Sequence, residues 1–485
     1  SPLDIKVVAY FLGRIAQAEG LIFLVPLAVS LWYAESSRLA LSLTAFLSAA
    51  AGTALRRAGK EPGERLTLRE GIAITGGGWL LATFLGMLPY LLGGYLGYLD
   101  GVFESISGFT GTGATVVEDI EALPQGVLLW RSLTHWLGGL GIIVIFIALL
   151  PATGQSAITM YNAESSAQGS ERVLPRLKNL TSVLFRIYVV LTGAAFLAFF
   201  ACGMSALDAV NHAMSTIGTG GFSTYNASAA HFKSPAIELW MSLFMFIAGG
   251  SFGLYYRVYK KGPQVLWRNS EFKAYLGIVG GAVLLIAANL FYRGLYNVPD
   301  ALRFALFQAT SLSTTGFVSA DYELWPGFSK GILILLMLTG GCVGSTAAGL
   351  KIARILVLFR MVRTIVLEKL HPRVTTPVRI NGASVDEATL HRTAVFFFLY
   401  VLSIAFFAVL MTADNIKTFD AIGISVTTVG CVGPAFGIAG ATENYAGLSD
   451  FTKGILCFAM LLGRLEFFTL LVMLYPSFWR SKKNW

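Results

Sequence analysis

The chain has 485 residues, of which 55% are hydrophobic and 13% charged, with a formal net charge of +9 and a mean hydropathy of +0.67. Soluble domains carry about 25% charge, so this balance excludes an ordinary water-soluble globule and makes lipid the solvent. The cysteines (Cys202, Cys342, Cys431, Cys457) and histidines (His135, His212, His231, His371, His391) show neither disulfide-framework nor metal-ligand spacing, and no nucleophile–base pair or P-loop appears, which argues against an enzyme.

Charge placement sets the expected orientation. Lys and Arg gather in Arg56–Arg69, Arg172–Lys178, Arg257–Lys273, Lys351–Arg392 and Arg480–Lys483. The alternate loops hold acids instead: Glu118, Asp119 and Glu121, then Asp321 and Glu323, then Glu443 and Asp450. The positive-inside rule makes the basic loops cytoplasmic, and both termini with them. The basic stretches lack the interleaved aromatics of a nucleic-acid surface, so no nucleic-acid partner is expected.

In chain order, apolar stretches at 17–33 and 38–56 predict an N-terminal transmembrane hairpin within residues 1–66. Four units follow, at 67–170, 171–270, 271–380 and 381–485, each read as span, polar dip and returning span. The spans are expected near 70–93 and 126–150, 180–203 and 234–258, 273–292 and 327–367, and 390–412 and 452–475. With two spans per unit, all four point the same way, unlike the inverted repeats of many secondary transporters. The expected fold is an all-α integral membrane protein, four tandem span–pore helix–span repeats around one pore plus the hairpin.

The dips carry the chemistry. They span Gly108–Val117, Met214–Thr224, Thr310–Ser319 and Val426–Gly437, each with a glycine signature. Four such turns can close around an axis and turn backbone carbonyls inward, replacing the water shell of a cation. Glycine provides the backbone freedom, because it reaches positive φ and lets an ion approach the main chain. An aspartate opens each apolar pore segment (Asp100, Asp208, Asp300, Asp420) and is read as a helix cap. Registering on these caps gives 13 residues from Asp100 to Gly113, 12 from Asp208 to Gly220, 16 from Asp300 to Gly316 and 13 from Asp420 to Gly433. Gly433 is thereby preferred over Gly430, and repeat three needs a longer lead-in.

The second spans repeat a further signal: Gly138–Gly139, Gly249–Gly250, Gly340–Gly341 and, in the last, Gly463–Arg464. For the first two pairs close helix packing is the plainer explanation. In repeat three, one helix over the predicted span would be ~60 Å long, twice the bilayer core, and Gly340–Gly349 is too rich in small residues to hold it together. Unwound backbone at that depth is tolerated where it is buried in protein or lines a water-filled cavity, so the stretch is a candidate gate. Arg464 lies roughly 17 Å from the outer end of its helix, near mid-bilayer, where an ionisable group is by default functional. It is read as a cation facing the pore below the glycines, with pairing to another helix as the alternative. Glu466, two residues on, faces elsewhere. Glu104, inside the first pore helix, is the candidate for an ion- or proton-loading carboxylate, or else a polar group satisfying backbone.

These residues together resemble the Trk/Ktr/HKT superfamily of cation transporters from about residue 70 onward, and the extra hairpin is similar to that of its longer members. The resemblance implies K⁺ as permeant ion, with no organic cofactor in this chain. It implies a selectivity filter at Thr112-Gly113, Thr219-Gly220, Thr315-Gly316 and Val432-Gly433. A serine at the first site accompanies Na⁺ permeation in some plant members, and no site here has one. Repeat four departs from the Thr-Gly pattern. The gate that the resemblance implies comprises Gly340, Gly341, Cys342, Val343, Gly344, Ser345, Thr346, Ala347, Ala348 and Gly349, with Arg464. It further implies a homodimer in the bacterial inner membrane, in contact with lipid and docked to a cytoplasmic TrkA-like ring that binds the regulating nucleotide. A coupled K⁺/H⁺ or K⁺/Na⁺ symporter on the same scaffold is the alternative function.

Overall fold

A computed structural model describes residues 3–63, 66–141 and 177–480. The described residues are predominantly helical, as expected, with almost no strand. Among the described residues six helices are long and apolar enough to cross a membrane: Ile5–Trp32, Ser37–Ala58, Leu68–Leu92, Thr181–Ala201, Ser270–Tyr292 and Glu387–Thr412. Side chains at the water boundary start several of them. Thr67 and Glu70 form a reciprocal capping box, Asn269 caps Ser270–Tyr292 and Asp386 caps Glu387–Thr412, each accepting a bond from an otherwise orphan N–H. Thr389 holds the exposed Asp386 carboxyl below its ordinary pKa by hydrogen bonding to the charged form. The small departure from all-helix is a hairpin in the basic loop before the last repeat, where Arg379–Ile380 pairs with Ala383–Ser384. Asn381 and Gly382 both take positive φ between the strands, as a tight primed turn requires.

The first span begins twelve residues earlier than the hydropathy suggests. Its start is amphipathic, with Lys6, Arg14 and Gln17 interrupting the apolar run. What holds it is backbone contact with Ser37–Ala58. A Cβ on Gly13 would lie 2.5 Å from the Arg56 nitrogen, and one on Gly20 3.0 Å from that of Ala49. Small residues let two helices approach this closely in lipid, and dispersion then replaces the missing hydrophobic drive.

The returning helices differ from continuous spans in all four repeats, not the third alone. Gln125–Gly139 stops at its glycine pair; the rest of the expected span from residue 142, the basic loop through residue 176 and the boundary at 170 fall outside the described residues. Pro235–Ala248 and Phe252–Lys261 meet at 93°, and Asp450–Arg464 and Phe468–Leu474 at 117°. In repeat three Gly327–Thr339 and Ile352–Leu370 are separated by non-helical chain. The last break contains no glycine turn. Glu466 and Phe467 themselves take positive φ, 56° and 68°, a strained choice for residues with a Cβ.

Candidate functional site

Four short helices dip between the spans: Tyr98–Thr110, Ala206–Ile217, Val298–Thr310 and Thr418–Val429. The four aspartates stand at the third position of these helices and do not cap them. The caps are Gly97, Ser205, Asn297 and Lys417. An acid in the first turn still favours the positive end of the helix dipole. The carboxylates also tie the outer surface together. Asp100 binds Lys453 at 2.8 Å, Asp208 accepts from Thr224 at 3.0 Å and Tyr225 at 2.5 Å, and Asp300 meets Arg303 at 3.4 Å. The longer lead-in of repeat three is real and has a cause: Ser311–Thr315 continues Val298–Thr310 as a wide π-helical turn before Gly316.

The chain after each dip helix closes a ring, and glycine contacts give its order. A Cβ on Gly113 would fall on the Gly220 carbonyl oxygen, and one on Gly221 would lie 2.6 Å from that of Thr315. A Cβ on Gly316 would fall on the Val432 oxygen, and one on Gly433 on that of Thr112, which returns to repeat one. Each glycine therefore abuts the carbonyl one position earlier in the next repeat. Gly113, Gly221, Gly316 and Gly433 all take positive φ (78°, 88°, 109° and 117°). Two residues earlier, Gly111, Thr219 and Cys431 also do so (72°, 52° and 54°). Left-handed residues at alternate positions bring successive carbonyls to the same side, the arrangement that lines a cation path.

This geometry corrects one register. Thr112, Gly220, Thr315 and Val432 are equivalent, so Gly221 and not Gly220 matches Gly113, and Thr219 sits one step further back. Val432-Gly433 in repeat four falls where expected. The signal was in the sequence: Asp208 to Gly221 is 13 residues, the spacing of repeats one and four, and Gly221-Phe222 echoes Gly316-Phe317.

Buried polar side chains brace the ring from behind, and the sequence reading missed most of them. His135 faces the Gly108 carbonyl at 2.7 Å through Nδ1 and accepts from the Phe222 N–H at 3.1 Å through Nε2. His212 meets the Ser223 hydroxyl at 2.8 Å. Gln308 accepts from the Ser319 N–H at 2.9 Å, and Thr427 from that of Gly433 at 2.9 Å. Tyr445 donates to the Gly433 carbonyl at 2.5 Å. Glu104 is fully buried and paired with Arg131 at 3.0 Å. Arg131 and His135 both lie within an apolar returning helix, and that position alone should have marked them.

Beneath the ring, the expected loop, the broken helices and Arg464 come together. Gly138 and Gly463 press on the carbonyls of Phe109 and Val429 at the ends of dip helices, so the glycines do pack closely, at the points where their helices stop. The orphan carbonyls of those ends find donors. Arg464 donates to the oxygens of Gly138 at 2.7 Å, Gly139 at 2.9 Å and Thr346 at 2.9 Å. Thr346 donates through its hydroxyl to Ile217 at 2.9 Å, and the Cys342 N–H bonds the Gly249 oxygen at 2.8 Å. The loop is pinched at its neck, where the Lys351 N–H meets the Thr339 oxygen at 2.9 Å. Glu466 does face away from Arg464, and it pairs with Lys351 at 3.2 Å and Arg354 at 3.0 Å. Residues of all four repeats thus converge on the segment around Thr346.

Fold and site define an integral membrane protein with a ring of backbone carbonyls from four dip segments above a non-helical loop. The family model described as "TrkH: Cation transport protein" matches residues 38–481, nearly the whole chain. The chain is 34% identical to the Trk system potassium uptake protein TrkH of Salmonella typhimurium, over 94% of this chain and 96% of that protein. It is 33% identical to the TrkH of Halomonas elongata, over 99% and 100%. The crystal structure of the potassium transporter TrkH from Vibrio parahaemolyticus superposes with a TM-score of 0.89 at 30% identity, covering 99% of this chain and 100% of that one. The chain belongs to the TrkH family of cation transport proteins. The family consists of transporters and not enzymes.

Proposed function

We propose that this chain takes up potassium across a bacterial inner membrane through the ring as a selectivity filter. The observation that carries the reading is the closure of the ring, four positive-φ glycines each seated on the neighbouring repeat's carbonyl. The filter carbonyls are then those of Thr112, Gly220, Thr315 and Val432, with Gly113, Gly221, Gly316 and Gly433 beside them. The loop from Gly340 to Gly349 obstructs the path below, and Arg464 both fastens it and repels the permeant cation. The basic loops and both termini face the cytoplasm. The working unit is a homodimer regulated by a TrkA-like nucleotide-binding ring on that side. The membrane potential drives entry, at about 2.3 kcal/mol per unit charge per 100 mV.

A symporter needs a carboxylate that loads and unloads. Glu104 fits that role poorly, since Arg131, Thr115 and the Val116 N–H already occupy its oxygens. The test is uptake of labelled rubidium into liposomes with an imposed potential but no pH or Na⁺ gradient. A pore passes the label. No uptake under these conditions, with uptake restored by a proton or Na⁺ gradient, would overturn the reading in favour of coupling.

A further inference from the structure

The four joints between neighbouring ring segments are not built alike. Repeat two meets repeat three through the Ala230 N–H on the Val318 oxygen at 3.1 Å and the Ser228 hydroxyl at 3.1 Å from the Val318 nitrogen. Repeat three meets repeat four through Tyr322 on the Ala435 oxygen at 2.6 Å. Repeat four meets repeat one through the Tyr445 N–H on the Thr115 oxygen at 2.8 Å. Repeats one and two meet through the Ile120 N–H on Asn226 Oδ1 at 2.7 Å and the Phe222 N–H on His135 Nε2 at 3.1 Å, and here a buried ion pair within repeat one is added, Arg131 reaching across to repeat two. Glu104 is 0% and Arg131 1% exposed, and among the described residues no other pair of opposite charges is so completely buried.

Beyond the bonds between the two partners, the pair's hydrogen bonds go to the segments that follow the ring glycines. One Glu104 oxygen accepts from Arg131 Nε at 3.1 Å, Arg131 Nη2 at 3.0 Å and the Thr115 hydroxyl at 2.8 Å. The other accepts from the Val116 N–H at 2.9 Å. Arg131 Nη1 crosses to repeat two and donates to the Ser223 oxygen at 3.0 Å, while the guanidinium lies 4.1 Å from the centre of the Phe222 ring. Thr115 and Val116 follow Gly113, and Phe222 and Ser223 follow Gly221. A single planar fork therefore spans the outer exits of two adjacent ring segments.

Such a pair is an expensive way to join two loops. Burying each ion strips it of hydration, and a neutral pair of similar shape often stabilises as well or better. What the ion pair offers beyond a neutral bond is stiffness and fixed direction, from charge-assisted bonds on a rigid fork. Discrimination of K⁺ from the smaller Na⁺ depends on carbonyls that do not close in on the smaller ion, whether through cavity size or field strength.

We infer that Glu104 and Arg131 are positioning residues that set K⁺ over Na⁺ discrimination by fixing the spacing of the repeat-one and repeat-two segments. The inference rests on the ring's being the filter. The test measures reversal potentials in opposed K⁺ and Na⁺ solutions with full-length protein in lipid bilayers. In the double variant Glu104→Gln with Arg131→Gln, no buried charge is left alone, and the K⁺/Na⁺ permeability ratio should fall by roughly tenfold. The matching variant Glu238→Gln with Arg303→Gln removes the ion pair at 2.9 Å outside the ring and should leave the ratio unchanged. Thr115→Val keeps both charges and removes the hydroxyl between them, and should lower the ratio by about threefold. A folded double variant with the wild-type ratio overturns the inference and leaves the filter reading standing. An equal fall in the Glu238–Arg303 variant overturns it too, since any lost ion pair would then suffice. Should the double variant not fold, Thr115→Val decides, and an unchanged ratio there counts against the pair. Wild-type protein that passes K⁺ and Na⁺ equally overturns the filter reading itself, and this inference with it.

Discussion

The ring and the loop beneath it are both irregular backbone, yet they are held by a different balance of means. In the ring steric exclusion is added to the polar bracing: its glycines have positive φ, and a Cβ on any of them would strike the next repeat's carbonyl. The loop is fixed by a few hydrogen bonds, from Arg464 to Thr346, from Thr346 to Ile217, and from backbone to backbone at Cys342–Gly249 and Phe252–Gly344. Only its neck is sterically tight, where a Cβ on Gly340 would lie 2.5 Å from the Ala348 oxygen. At Gly344, nearer the tip, the nearest atom would be the Ser251 hydroxyl at 3.2 Å. A segment held by exclusion has one conformation, whereas one held by a few hydrogen bonds can be released for a few kcal/mol. That contrast suits a filter above a gate.

The sharpest way to break the comparison is to alter the ring. Gly113→Ser adds an atom where the Gly220 carbonyl lies and forces a non-glycine residue to a φ of 78°. Strain of about 1–3 kcal/mol is expected from the backbone alone. The K⁺/Na⁺ permeability ratio should drop by roughly tenfold or more, and Gly221→Ser should match it because the two are equivalent positions. Reversal potentials that stay at the wild-type value in both variants would remove these glycines from the filter.

Next in size is the fastening of the loop. Arg464→Ala deletes three carbonyl contacts and a positive charge near the path. At ~6 Å and an effective dielectric of ~20 that charge opposes a cation by roughly 2–3 kcal/mol. Rubidium flux should rise by about tenfold or more, with Arg464→Lys between the two because it keeps the charge and loses the planar fork. Folded Arg464→Ala protein with wild-type or lower flux would leave the residue a structural staple only.

Glu466 separates charge from contact. Glu466→Gln leaves Lys351 and Arg354 without their carboxylate while leaving the bonds of Arg464 in place. Since Glu466 is 20% exposed, the loss of stability should be about 1–3 kcal/mol, below that of a fully buried pair. It should show as a lower thermal midpoint in detergent, with flux raised less than by Arg464→Ala. A larger flux increase than Arg464→Ala would shift the gate from the loop to the bent helix after it.

The comparison also explains what could be read beforehand. Glycines announce exclusion, so the four turns and the broken repeat-three helix were visible in the residues. The repeat-two register was visible too, in the 13-residue spacing from Asp208 to Gly221, but the Thr-Gly pattern drew the eye to Gly220. Polar fastening leaves a weaker trace. Nothing in the local sequence tells that Thr346 reaches Ile217, 129 residues away, or that Glu466 turns to Lys351 across a strained bend. The first span was shortened for a related reason, because hydropathy does not register the backbone contact of Gly13 and Gly52 that holds its polar start.

The finest test concerns a single hydroxyl. Thr346→Val is nearly isosteric, so neither the shape of the loop nor its steric neck should change. The substitution deletes the bond from Thr346 Oγ1 to the Ile217 oxygen at 2.9 Å, at the end of the second dip helix. The backbone oxygen of Thr346 remains available to Arg464. One buried hydrogen bond is worth about 0.5–1.5 kcal/mol net, and the Ile217 carbonyl is left without this donor. If the loop blocks the path by hanging from that helix end, the closed state loses this amount and the open state loses nothing. Flux should then rise by roughly two- to tenfold with the K⁺/Na⁺ ratio unchanged, since the ring is untouched. A rise in flux together with a fall in the ratio would mean that loop and ring move as one body, and the division between exclusion and fastening would fail. Unchanged flux in folded protein would show that the Thr346 hydroxyl holds the same contact whether the path is open or closed.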